Sequence, residues 1–139
     1  MCGSYAVSEY VVDAAAVVAA LAGDDAKAIV ARKRLTESSC HAPHLLDAEV
    51  GSVVRRMERA GDISDEDART ALAALPRVID HRYAHTGPIV DLAWGLRHTI
   101  TFYDALYVAL ATVLEVPLLT ADVRLSKAPG LSCAVEVLR

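Results

Sequence analysis

A chain of 139 residues, 54% of them hydrophobic, carries enough apolar side chain for a single well-packed domain and is short for two. Its net charge of −4 excludes a global basic field, so any contact with nucleic acid has to use local patches. Cys2, Cys40 and Cys133 are odd in number and form no CxxC, which argues against a disulfide framework or a zinc site and for a reducing compartment.

The chain opens on MCGSYAVSEY, which lacks the basic region and apolar run of an export signal, and no later run approaches the roughly 18 apolar residues that span a bilayer. The expectation is a cytoplasmic protein without membrane contact. Glu9 to Val12 reads as a first strand that delivers Asp13 at its exit, and an alanine-rich helix, Ala15 to Leu21, follows at once. Asp24 and Asp25 are capping residues for a second helix to about Leu35. Ser39 to Ala42 reads as a short strand, with Pro43 at the start of the next element. From Leu46 the positions Val50, Val53, Val54 and Met57 follow helical spacing until Gly61, with Arg55, Arg56 and Arg59 largely outside the stripe. Ser64 and Asp67 have capping-box spacing for a helix that closes before Pro76, and Val78 to Arg82 reads as a strand. Pro88 opens a further helix, Ile89 to Leu96.

Thr101 to Asp122 is the most informative stretch. Thr101 and Asp104 have the spacing of a capping box, the body from Ala105 to Val113 has no charged residue on any face, and Pro117 ends the helix. Such a helix is buried on most sides. Val116, Leu118 and Leu119 read as a strand covered on both faces, with Thr120 and Asp122 where it runs out, and Leu131 to Leu138 supplies a last strand. Strands alternating with helices imply an α/β fold whose parallel sheet is covered on both faces. Sheets of this kind place their chemistry beyond the carboxyl ends of the strands.

Asp13, Glu49, Asp104 and Asp122 each stand at an element boundary or beside an apolar stripe rather than in a run of surface charge. Oxygen-only ligands without histidine or cysteine suit hard ions such as Mg²⁺ or Mn²⁺, which can activate water for hydrolysis of a phosphodiester. Each acid also has a plainer reading: Asp104 as a helix cap, Asp13 and Asp122 as turn residues. Glu49 lies at one edge of the stripe of Leu46, Val50, Val53 and Met57 and Asp47 at the other, so periodicity does not choose between them. His81 and His85 are an i,i+4 pair, but they fall on a strand exit and loop, where helical spacing brings nothing together.

The segments YVVDAAAVVAAL, PHLLDAEVGSVVRR, TFYDALYVALAT and LLTADVRLSKAP, in this order and at these separations, resemble the PIN-domain family, most closely the VapC toxins of bacterial toxin–antitoxin pairs. The resemblance spans nearly the whole chain, with TFYDALYVALA its most specific part. It implies an α/β/α sandwich with strand order 3-2-1-4-5 and a metal-dependent endoribonuclease. It also implies that Asp13, Glu49, Asp104 and Asp122 hold Mg²⁺ or Mn²⁺, and it selects Glu49 over Asp47. A cognate VapB-like antitoxin, an RNA substrate and a homodimer are the implied partners. Ala15 and Ser52 depart from the Ser or Thr and the Asn common at those places in the family. The nearest basic residues in sequence to the acids, Arg55, Arg56, Arg59, Arg124 and Lys127, are candidates for phosphate contacts.

Two other readings differ in class. One is a PIN-like RNA-processing nuclease without an antitoxin. The other is a non-catalytic, receiver-like binding module, which lacks here the acidic pair beside Asp13 and a lysine after Leu131. A dehalogenase-like phosphatase would need Asp where Ala15 stands. Crowding of the acids further implies that at least one has a raised pKa without metal, and that Asp122→Asn melts above wild type in chelator.

Overall fold

The protein, seen here as a computed structural model, is described over residues 7–138; Cys2 and most of the opening segment lie outside the described residues. The elements run β1 (Glu9–Val12), α1 (Ala14–Leu21), α2 (Ala26–Thr36), β2 (Ser39–Pro43), α3 (Leu45–Arg59), α4 (Asp65–Val78), β3 (His81–Tyr83), α5 (Pro88–Gly95), α6 (Phe102–Leu114), β4 (Leu118–Thr120), α7 (Val123–Ser126) and β5 (Val135–Val137). All strand pairs are parallel, and the order is β3-β2-β1-β4-β5, as the resemblance implies. The right-handedness that such crossovers follow assigns α1 to α4 to one face and α5 and α6 to the other, in keeping with the packing of α1 on α2 and α3 and of α5 on α6. The direction of travel across the sheet reverses between β1 and β4, and that switch point is where a crevice opens.

Local chemistry starts most of these helices. The side chains of Asp13, Asp25, Ser64, Thr101 and Asp122 each accept from an amide two or three residues on, which satisfies a donor that the first helical turn leaves free. The buried body of α6 is the centre of the core: Ala105 to Ala111 are all buried, between the sheet and α5. Its C-terminal cap, Glu115, turns left-handed at φ 57°, two residues before Pro117. Gly87 precedes α5 at φ 62°, a backbone state that side chains rarely adopt, so glycine is required there.

Several boundaries differ from the sequence reading. The helix expected to close before Pro76 runs on to Val78, with Pro76 on the exposed side of its last turn. Burial of Leu75 and Val78 in that turn holds the helix together across the missing donor. The third strand is therefore His81–Tyr83 rather than Val78 to Arg82. Pro43 closes β2, in register with Tyr83, rather than opening the next element. It is tolerated because it stands at the strand's end, where a missing N–H costs least. Val116 lies outside β4, and of Leu131 to Leu138 only Val135–Val137 pair with the sheet. The short helix α7 went unread, because four residues are too few to show a period.

Candidate active site

The pairing of β1 with β4 brings the first and last acids together. Val12 is in register with Leu119, and the next amide, that of Asp13, donates to the Leu119 carbonyl at 3.3 Å. Thr120, fully buried at the end of β4, links the two acids. Its hydroxyl donates to Asp13 Oδ2 and accepts from the Asp122 N–H at 2.9 Å. Asp13 Oδ1 accepts from the Ala16 amide at 2.9 Å, so this buried carboxylate also caps α1.

Asp104 separates its two possible roles. The cap of α6 runs from its backbone N–H to Thr101 Oγ1 at 3.2 Å. Among the described residues no reciprocal bond ties the carboxylate to the Thr101 amide. It lines, with Asp122, a cleft of about 640 Å³ whose other walls include Arg97, His98, Thr101, Arg124 and Lys127.

Glu49 and Asp47, which periodicity leaves open, go different ways. Arg82 on β3 takes Asp47 in a bidentate pair at 2.7 and 2.9 Å. Glu49 accepts instead from the hydroxyl of buried Tyr107 at 2.6 Å, one helical turn beyond Asp104. The helix that carries Glu49 is anchored from outside: the Leu45 amide, in its first turn, donates to His85 Nε2 at 2.9 Å. His81 stacks on buried His41 at 4.9 Å. The i,i+4 histidines thus support packing and a helix end.

Charge coupling links Asp13 to Asp104 and Asp122, and links Glu49 to Asp104. Burial pushes Asp13 up to about 6 from an ordinary 3.8, its bonds to Thr120 and Ala16 oppose this, and the charges of Asp104 and Asp122 add to it. Burial raises Glu49 too, against its Tyr107 bond and with the charge of Asp104. Asp104 is raised by burial and by Asp122, against Thr101 and the charge of Arg124. Asp122 goes the other way, because Arg124 bonds to its carboxylate and holds it low. Asp122 is thus held low itself while its charge raises Asp13 and Asp104, and it also caps α7. The sequence-based expectation for Asp122→Asn therefore sets relief at Asp13 and Asp104 against loss of the Arg124 bond and of the cap, and melting curves in chelator decide between them.

The donor set fits a hard divalent cation by charge and chemistry: the raised carboxylates are oxygen donors, and of them only Asp104 feels a cation, the exposed Arg124. The fit is not a closed cage: among the described residues no three such side chains converge closely enough to hold an ion directly. Asp13, Glu49 and Asp122 are instead turned toward Thr120, Tyr107 and Arg124. This arrangement suits an ion that keeps several of its waters. The Arg124 pair, at 3.3 Å and on a side chain 92% exposed, is readily displaced.

Tyr107, Thr120 and Arg97 escaped the sequence reading. Tyr107 sits three residues after Asp104 on one helical face, which is a usable signal. Thr120 is a hydroxyl at the last position of an apolar strand. Arg97 follows a helix end and has no periodicity to mark it. Arg55, Arg56 and Arg59 are exposed on α3 and line no wall of the cleft, whereas Arg124 and Lys127 do. Ala15 and Ser52 are both exposed.

A family model described as PIN domain matches residues 10–131. The chain is 59% identical over 133 residues to Ribonuclease VapC1 of Mycobacterium tuberculosis, an alignment that covers 96% of this chain and 100% of that one. It is 39% identical over 129 residues to Ribonuclease VapC9 of the same species, covering 92% and 97%. In structure it is similar to VapBC2 from Rickettsia felis bound to a DNA fragment from their promoter, with a TM-score of 0.70 at 14% identity over 94% and 99% of the two chains. Mycobacterium tuberculosis VapC20 gives 0.63 at 20% identity over 91% and 99%. At these identities the structures speak for the fold alone.

Proposed function

The chain belongs to the PIN-domain family, and on that premise we propose that it is an endoribonuclease, the toxin of a VapBC-type pair, acting through a hydrated Mg²⁺ or Mn²⁺ at the acidic cleft. The observation that carries the reading is the 59% identity to a ribonuclease VapC over that relative's full length. The cluster of raised carboxylates at the sheet's switch point supplies the chemistry.

Asp13, Asp104 and Asp122 would hold the ion directly or through water, with Glu49 as a further ligand or as the group that orients the attacking water. When bound, such an ion supplies positive charge that makes a water nucleophilic at neutral pH and stabilises the oxygen that leaves phosphorus. The protein's part is positioning. Thr120 fixes the rotamer of Asp13, and Tyr107 fixes that of Glu49. Arg97, Arg124 and Lys127 on the cleft walls attract the RNA phosphates that a net charge of −4 would otherwise repel. Water attacks phosphorus in line and the P–O bond opposite breaks, so no side chain has to serve as nucleophile.

The direct test is cleavage of labelled single-stranded RNA by the purified chain, which should stop in EDTA and return with Mg²⁺ or Mn²⁺. Undiminished cleavage in EDTA would overturn the metal assignment. A VapB-like antitoxin is the proposed partner and a homodimer the proposed state. A basic side chain of the antitoxin directed at the acids would make inhibition competitive with RNA and sensitive to salt. A tight antitoxin complex that cleaves at full rate would rule that mode out.

Tyr107→Phe tests the support of Glu49. Loss of this charge-assisted bond should cost about 1.5–3 kcal/mol in a urea titration. Because the bond lowers the pKa of Glu49, its loss should also move the acid limb of the cleavage profile to higher pH. An unmoved acid limb would show that Glu49 does not titrate in the rate.

A further inference from the structure

The aromatic side chains exposed among the described residues lie close together in the chain, at Trp94 on α5 and at Phe102 and Tyr103 in the first turn of α6. In a chain only 5% aromatic, that concentration on either side of the segment Arg97 to Thr101, which lines the acidic cleft, calls for an explanation. Trp94 is the most open of them, 60% exposed. The Arg97 guanidinium lies over its ring, 4.8 Å from the centroid. Both the backbone amide of Arg97 and its Nη1 donate to the Trp94 carbonyl, at 3.1 and 3.0 Å, so the turn itself holds the arginine in place. Arg97 is also a wall of the cleft that Asp104 and Asp122 line. Among the described residues no carboxylate pairs with it.

We propose that Trp94 and Arg97 form a stacking subsite for one base of single-stranded RNA, a nucleotide or two from the bond cleaved at the acids. The inference rests on the nuclease reading above and deepens it. A planar indole with a fixed guanidinium on it offers a π surface for a base and a cation for the adjoining phosphate, the two elements that single-strand binders combine. The arginine is ordered before RNA arrives, so less freedom is lost on binding. Bases paired in a duplex cannot reach such a platform. The subsite therefore selects single-stranded segments, and it sets the direction in which the strand leaves the acids.

Trp94 is the only tryptophan in the chain, so its fluorescence reports the subsite alone. Full-length protein in EDTA, which leaves RNA intact, is titrated with a ten-nucleotide single-stranded RNA and with the same sequence as a duplex. The expected result is saturable quenching by the single strand and little by the duplex. Trp94→Ala should weaken binding of a dye-labelled strand by about ten- to a hundredfold, with Trp94→Phe recovering most of it. Arg97→Gln should weaken it and lower the slope of log K against log salt by about 0.7. Lys33→Gln, at the amino end of the strands, should change nothing. Each variant is compared with wild type in melting temperature, so that a folding defect shows separately. If wild type cleaves RNA with metal while its fluorescence is unchanged, or while Trp94→Ala binds RNA as tightly, the subsite is wrong and the nuclease stands. Normal RNA binding by a Trp94→Ala protein that has lost its dimer would assign the face to contact between copies. If wild type neither cleaves nor binds RNA, both readings fall together.

Discussion

Asp104→Asn should leave a folded protein whose RNA cleavage is down by at least about a thousandfold. The fold survives because the cap of α6 uses the backbone amide of residue 104, which the substitution keeps, and because Asn has nearly the shape of Asp. What is lost is one negative charge on the cleft wall. An ion that supplies several kcal/mol of transition-state stabilisation is weakened by losing a ligand, and about 4 kcal/mol corresponds to a factor of a thousand. Melting in chelator should be no lower than wild type, since burial and Asp122 both disfavour the charge on Asp104. Single-turnover rates across a Mn²⁺ series separate weak metal binding from failed chemistry. A folded Asp104→Asn protein within about threefold of the wild-type rate would remove Asp104 from the site.

The second large effect is on stability and comes from Asp13. Its carboxyl is pushed up to about 6 in the fold and titrates near 3.8 in the unfolded chain, so the folded state prefers the protonated form. Stability from this group is therefore fully present below about pH 4 and is lost as pH rises through about 6. The difference is on the order of 3 kcal/mol, from about 1.4 kcal/mol per pKa unit. Without metal the protein should melt lower at pH 7.5 than at pH 5, after allowance for its other groups. Mg²⁺ or Mn²⁺ should offset the loss above pH 6, because an ion binds the charged form and stabilises the fold by mass action.

Asp13→Asn should flatten that pH dependence. It should melt about 3–8 °C above wild type in chelator at pH 7.5, part of the gain being cancelled by weaker bonds to Thr120 and Ala16. It should also gain much less from metal than wild type does. Scanning calorimetry of both proteins at the two pH values, with chelator and with metal, checks every arm. If Asp13→Asn melts lower than wild type in chelator at pH 7.5, its cap on α1 outweighs the buried charge.

The elements of this protein were largely legible because their signals are local. Asp25, Ser64 and Thr101 cap helices at the spacing that any chain would use. The charge-free body of α6 announced its own burial, and an apolar run with no alternation announced a parallel strand. Where local rules failed, at Pro76 and in the segment after it, the deciding energy was burial of Leu75 and Val78 against distant elements. Strand order came from the family resemblance; alternation alone fixes the parallel sheet but not which strands are neighbours.

The acids were legible as candidates and no further. Asp47 and Glu49 are two positions apart at the edges of one helical stripe, and nothing in their neighbourhood distinguishes them. Arg82, 35 residues away, takes the first, and Tyr107, 58 residues away, takes the second. In the same way Asp13 owes its raised pKa to burial, against a bond from Thr120, 107 residues on, while Asp122, two residues from Arg124, is held low. The sequence by itself determined which residues could carry charge to the carboxyl edge of the sheet, because caps, periodicity and strand ends act within a few residues. Only the tertiary structure decided which of those charges are strained and which are neutralised, because burial and partnership depend on chain segments that meet only when the sheet is assembled.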